Sequence, residues 1–215
     1  KIKNSPVLIN KMTTKIRRKI VVEGDEDKSH LGLVHVITGD GKGKTTASIG
    51  LAVRAMGSSL RVCMIQFLKS GSTGELYTIK KHLPNMEIMQ FGVDAVKERQ
   101  QKLNEFRDKG STFVFNPDAE EKEAALTGFE HAKKIINSGD YDLVILDEIN
   151  VVLDKGLIPI ETVLELIREH GNVELVFTGR DAPKEIIDAA DYVNIVQKVK
   201  NPWDKGIKAR KGIEF

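Results

Sequence analysis

The apolar run Val34-His-Val-Ile-Thr38 leads straight into Gly39-Asp40-Gly41-Lys42-Gly43, and then into Lys44-Thr45-Thr46 at the head of a segment with helical period. A glycine-rich turn between a strand and a helix, closed by a Lys-Thr pair, is a phosphate cradle. Its glycines let successive backbone N–H groups point into one concavity, and the helix N-terminus adds positive potential. Lys44 supplies a mobile charge and the Thr45 hydroxyl a ligand for Mg2+. One position departs from the usual spacing of Gly, four residues, Gly-Lys-Ser/Thr: Thr38 stands where the first Gly belongs. Ordinary γ-phosphate hydrolysis therefore does not follow from this loop alone.

From residue 33 onward, short β-rich runs alternate with longer charged segments of helical period. The runs 34–38, 62–67, 87–91, 143–147, 173–178 and 192–196 are expected as strands. Helices are expected over 45–56, 75–82, 94–109, 118–138, 159–170 and 183–190, with Gly57, Gly139 and Gly171 as stops. Such alternation predicts an α/β fold, a mostly parallel sheet with helices on both faces. The segment from Lys97 to Lys109 is so charged that it reads as an exposed helical insertion around 92–109 in a domain spanning 31–215. Residues 1–30 read as a basic arm, because the first 22 positions hold seven Lys or Arg and no acid. Ile9, Met12, Ile16 and Ile20 lie at the spacing of one amphipathic helix. An organelle transit peptide is the alternative for this start.

Composition narrows the class. With its 18 glycines the apolar fraction reaches roughly 48%, an ordinary globular value. No apolar run approaches the roughly 20 residues of a membrane span. A net charge of +2 gives no general drive toward nucleic acid. The single cysteine, Cys63, cannot form an internal disulfide, which fits a reducing cytoplasm. His35, His82, His131 and His170 show no Cys or acidic partner at ligand spacing and are read as structural; Trp203 beside Pro202 is read as a packing anchor, with ligand contact as the alternative.

The run Asp142-Leu-Val-Ile-Leu-Asp147-Glu148 is an apolar strand ending in two carboxylates, which in an open α/β sheet emerges near the phosphate loop. If the strand continued, Asp147 and Glu148 would point to opposite faces and have different tasks.

With Thr38-Gly-Asp-Gly-Lys-Gly-Lys-Thr-Thr46, Val144-Ile-Leu-Asp-Glu148, Phe177-Thr-Gly-Arg180 and the terminal Gly212-Ile-Glu-Phe215, the chain resembles the CobA-type ATP:corrinoid adenosyltransferases from about Leu33 to its end. The resemblance implies a RecA-like P-loop NTPase fold, a homodimer, and transfer of the 5′-deoxyadenosyl group of MgATP (or its Mn2+ complex) to the Co(I) of cob(I)alamin or cob(I)yrinic acid a,c-diamide, releasing triphosphate. It further implies a flavoprotein reductant as partner, and a nucleotide lying reversed in the loop, which fits the missing first glycine. On this reading residues 38–46 hold ATP, Lys44 and Thr45 neutralise the leaving triphosphate, and Thr45 and Glu148 hold the metal. Arg54 matches a family arginine near the nucleotide, and Arg180 contacts phosphate or fixes its strand end; a surface ion pair is the alternative for both. The family's corrin-facing aromatic falls on Phe113, with Ser111 replacing a second one and Phe115 or Phe91 able to compensate. The N-terminal arm would cover the corrinoid site, and the cluster Lys205, Lys208, Arg210 and Lys211 would face triphosphate, corrin amides or solvent. Two other classes remain open: a P-loop ATPase acting as a switch on a macromolecular partner, and a nucleoside kinase. The second would want a cysteine-rich lid that this chain lacks.

Overall fold

The computed structural model describes residues 28–71, 73–92 and 119–214. The basic arm up to residue 27, the expected helix 94–109 and the segment carrying Ser111, Phe113 and Phe115 lie outside the described residues. Six strands form one sheet: β1 (Val34–Thr38), β2 (Val62–Phe67), β3 (Met86–Phe91), β4 (Leu143–Asp147), β5 (Glu174–Thr178) and β6 (Tyr192–Ile195). Their order is β3-β2-β4-β5-β1-β6, every pairing parallel. The helices are α1 (Lys44–Gly57), α2 (Gly74–His82), α3 (Ala119–Asn137), α4 (Ile149–Asp154), α5 (Ile160–Glu169) and α6 (Lys184–Ala189). The expected strands and helices among these residues fall within a residue or two of the observed ones.

Period-2 alternation divides the core into two layers. Cys63, Ile65 and Phe67 of β2, with Val144 and Leu146 of β4, face the layer under α3 to α6. Val62, Met64, Leu143 and Ile145 face the layer under α1 and α2. β2 and β4 are buried along their whole length, which is why they read as nearly continuous apolar runs rather than alternating ones. At α5, Val163, Leu166 and Ile167 supply the buried helical stripe and Pro159 stands at the cap. β6, by contrast, is an exposed edge.

Three details differ from expectation. α4 was not anticipated, because Ile149-Asn-Val-Val-Leu153 reads as more apolar strand. α1 runs through Gly57 to a Ser58 cap, and the left-handed residue is Ser59 (φ 60°). Trp203 is no packing anchor: it is 66% exposed in the 3-10 turn Pro202–Lys205, where the chain has left the core. His35 stacks on Tyr192 and bonds Glu174, His131 tilts against Phe91, and His170 bonds the Val173 carbonyl, so these three serve the fold. Among the described residues no helix is long and apolar enough to cross a membrane.

Cys63 is fully buried, and desolvation pushes its thiol up to about 12. The native chain is therefore expected to resist an aromatic disulfide reagent and to react stoichiometrically once unfolded in guanidinium. Rapid labelling without denaturant would contradict the burial of β2.

Candidate active site

The phosphate loop is built against the chain that follows β6. Val196 donates its amide to the Thr38 carbonyl and accepts from the Gly41 amide, both at 2.7 Å. The Lys198 amide donates to Asp40 Oδ1 at 2.9 Å, which holds that carboxyl below the usual range. A Cβ on Gly41 would lie 2.7 Å from the Val196 carbonyl oxygen and 2.9 Å from the Gln197 backbone. Gly41 is thus glycine because another backbone passes there. Gly41→Ala is expected to cost about 1–3 kcal/mol through overpacking, read as a lower urea midpoint; an unchanged midpoint would mean the strap is not fixed. Gly43 differs: nothing lies within 4 Å of its missing Cβ, but its φ of 119° suits only glycine at the entry to α1.

Thr38 carries a side chain where the common motif has glycine because its hydroxyl accepts the Ala182 amide at 3.2 Å, tying β1 to the loop after β5. Lys44 curls back so that Nζ donates to the Gly39 and Gly41 carbonyls at 2.7 Å each. Burial lowers its proton affinity, with Glu148 opposing.

Asp147 organises the next layer. It is wholly buried at the end of β4 and each of its oxygens accepts two hydrogen bonds. Oδ1 takes the hydroxyls of Thr45 (2.8 Å) and Thr178 (2.6 Å); Oδ2 takes Lys69 Nζ (2.6 Å) and Gln66 Nε2 (3.0 Å). β1 and β4 are not neighbours, and Thr178 on the intervening β5 closes the gap. Glu148 begins α4 with φ 66°, so β4 ends at Asp147 and the two carboxylates part by a turn rather than by strand alternation. Leu68 (φ 56°) after β2 and Asp181 (φ 51°) after β5 are also left-handed. Each such residue costs about 1–2 kcal/mol, and together they bend the chain at the carboxyl edge where Lys69, Glu148 and Arg180 project.

These elements enclose a cavity of about 350 Å3 lined by loop residues 40–46 with Lys69, Glu148, Arg180, Asn201, Ile213 and Glu214. Burial pushes the Glu148 carboxyl above its usual range and Asp147 pushes the same way, against Lys69, Lys44 and Arg180. The position is the carboxyl edge of an open parallel sheet, where such folds bind nucleotides.

A sequence model of the family described as ATP:corrinoid adenosyltransferase BtuR/CobO/CobP matches residues 30–215. The chain belongs to this family. It is similar to the corrinoid adenosyltransferase of Escherichia coli strain K12, 27% identical over 94% of each chain. Those of Sinorhizobium sp and Pseudomonas aeruginosa are 31% identical, over 93% of this chain and 86% and 92% of theirs. Membership makes the chain an enzyme, a transferase, and the fold that carries the site is α/β with a parallel sheet.

Of the residues expected from sequence, this family member gathers 40–46, Glu148 and Arg180 around one cavity, with Thr38 and Gly39 behind the loop. Arg54 stands apart, exposed in the last turn of α1, ten residues and about 15 Å of helix from Lys44. Phe91 packs against the core beside His131. Lys69, Gln66 and Thr178 were missed as site residues. The available signals were a glutamine inside an otherwise apolar buried strand and a lysine two residues past its end.

Proposed function

We propose that this chain transfers the 5′-deoxyadenosyl group of ATP to the Co(I) of a corrinoid, cob(I)alamin or cob(I)yrinic acid a,c-diamide, and releases triphosphate. The observation that carries this reading is the make-up of the cavity: Lys42, Lys44, Lys69 and Arg180 converge on one loop, and none of the described lining residues is Ser, Cys or His. A site with that concentration of positive charge suits a reaction in which a triphosphate leaves and the nucleophile arrives with the second substrate. The Co(I) lone pair attacks C5′ of the ribose, a cobalt–carbon bond forms, and the C5′–O bond breaks with its electron pair going to the triphosphate. The loop amides and Lys44 stabilise the charge gathering on that leaving group, and the fixed loop supplies alignment.

Mg2+ fits the donors present: the Thr45 hydroxyl and the Glu148 carboxylate are hard oxygen ligands. An ion held by one or two protein oxygens keeps positions for substrate phosphates. When bound it would neutralise phosphate charge beside Thr45. The same reading carries a homodimer, a flavoprotein reductant and a cytoplasmic setting.

Glu148 gains proton affinity on folding, so its contribution to stability is present below its unfolded pKa and is lost as pH rises through the folded one. At pH 7, above the unfolded pKa, burial of this carboxyl works against the metal-free fold. Glu148→Gln is expected to raise the urea midpoint at pH 7 in chelator and to forfeit the added stabilisation from MgATP. A lowered midpoint in chelator would contradict the sign.

The phosphate product separates this function from the second reading, an ATPase in which Glu148 would activate water. Phosphorus NMR of a turnover mixture is expected to show intact tripolyphosphate. Orthophosphate and ADP without alkylated corrinoid would put hydrolysis in its place.

A further inference from the structure

The chain after β6 returns to the cradle from the outside. Glu214 lines the loop cavity and also a second one of about 730 Å3, bounded by residues 197–203 and Arg210 and sharing Lys42 and Asn201 with the first. Arg210 grips this carboxylate three ways: its backbone N–H donates to Oε2 at 2.7 Å, Nε to Oε2 at 3.2 Å and Nη2 to Oε1 at 3.0 Å. Arg210, and beyond it Lys42, hold the Glu214 carboxyl below the usual range. The chain's own anion therefore stands at the mouth of a site whose loop is built for phosphate oxygens.

A guanidinium fork that fits a carboxylate fits a phosphate in the same geometry. The pair is also weakly held: the Arg210 side chain is 58% exposed and Glu214 24%, and ion pairs in such settings contribute little to stability. A polyanion entering the cradle would meet the Glu214 carboxylate as a like charge, and taking over the arginine relieves that repulsion.

We propose that Arg210 is a triphosphate-binding residue masked by Glu214, and that polyphosphate in the cradle takes the guanidinium from Glu214 and shifts the tail 206–214. The inference rests on the cradle being a triphosphate site, as proposed above. Nucleotide entry and rearrangement of the C-terminal tail are then one event, and the tail retains the leaving group until Glu214 recaptures the arginine.

Trp203 is the chain's one tryptophan and lines the outer cavity with Arg210 and Glu214, so its emission reports the tail. The experiment titrates the full chain with inorganic tripolyphosphate and Mg2+, and separately with MgATP, by calorimetry and Trp203 fluorescence. Tripolyphosphate is expected to bind and shift the emission. Arg210→Ala should weaken binding about tenfold, as loss of a charge-assisted fork does, with Arg210→Lys recovering part. Glu214→Gln, which removes the competitor, should tighten it. If the parent chain binds tripolyphosphate and Arg210→Ala binds it equally well, the masked-arginine proposal is overturned while the cradle stands. If Glu214→Gln weakens binding instead, Glu214 is not a competitor and the exchange is overturned. Failure of the parent chain to bind either tripolyphosphate or MgATP overturns the cradle reading and this proposal with it.

Discussion

Lys44→Ala is expected to reduce adenosyl transfer about a hundred- to a thousandfold, the scale of removing one preorganised charge donor from a developing oxyanion, while the chain stays folded. Lys44 Nζ touches only the Gly39 and Gly41 carbonyls in the described structure, so its removal takes no partner from the core. The melting temperature should move by a few degrees at most. Turnover and thermal denaturation on the same preparation check this. Lys44→Arg should fail to rescue, because a planar fork cannot curl into a turn closed by 2.7 Å contacts to two loop carbonyls. Near-normal turnover in Lys44→Ala would remove the loop from the chemistry.

Asp147→Ala should have the largest effect on stability. The carboxylate is wholly buried, and four donors from the ends of β2 and β5 and from α1 converge on it. Truncation leaves the Lys69 ammonium without its close partner, strands two hydroxyls and leaves Gln66 Nε2 with Glu75 alone, a loss of about 3–5 kcal/mol by analogy with broken buried ion pairs. Asp147→Asn keeps an acceptor for Thr45 and Thr178 but turns an NH2 toward Lys69 and Gln66, so an intermediate loss is expected. Urea denaturation orders the three proteins. Turnover should also fall about 10- to 100-fold in Asp147→Asn, since Thr45 is then aimed by a weaker acceptor. A parent-like urea midpoint for Asp147→Ala would show that the network carries no structural load.

How much of this was legible in the sequence depends on the distance over which each signal acts. The loop 39–46 announces itself because glycines, lysine and threonine act within one turn of chain. Strands β2 and β4 were legible because full burial forces nearly continuous apolar runs. Lys69 was not: it reaches Asp147 across 78 positions, and only the left-handed Leu68 aims it there. Glu148 was expected as a carboxylate at a strand end, but its separation from Asp147 was not legible, since the strand stops at Asp147 and α4 begins at once. The glycine at 41 looked like a phosphate glycine, yet its space is taken by the chain after β6. Gln66 sits in the apolar run of β2 because Gln90, Glu75 and Asp147 satisfy its amide, partners drawn from β3, α2 and β4.

In the proposed reaction ATP breaks at C5′ and a cobalt–carbon bond forms. The direct measurement is anaerobic incubation of the purified chain with MgATP and chemically reduced Co(I) cobalamin, followed by absorbance and then by exposure to light. A light-sensitive adenosylcobalamin spectrum that grows with enzyme concentration and is absent with Lys44→Ala is expected. Persistence of the Co(I) spectrum while ATP is converted to ADP would contradict that reaction.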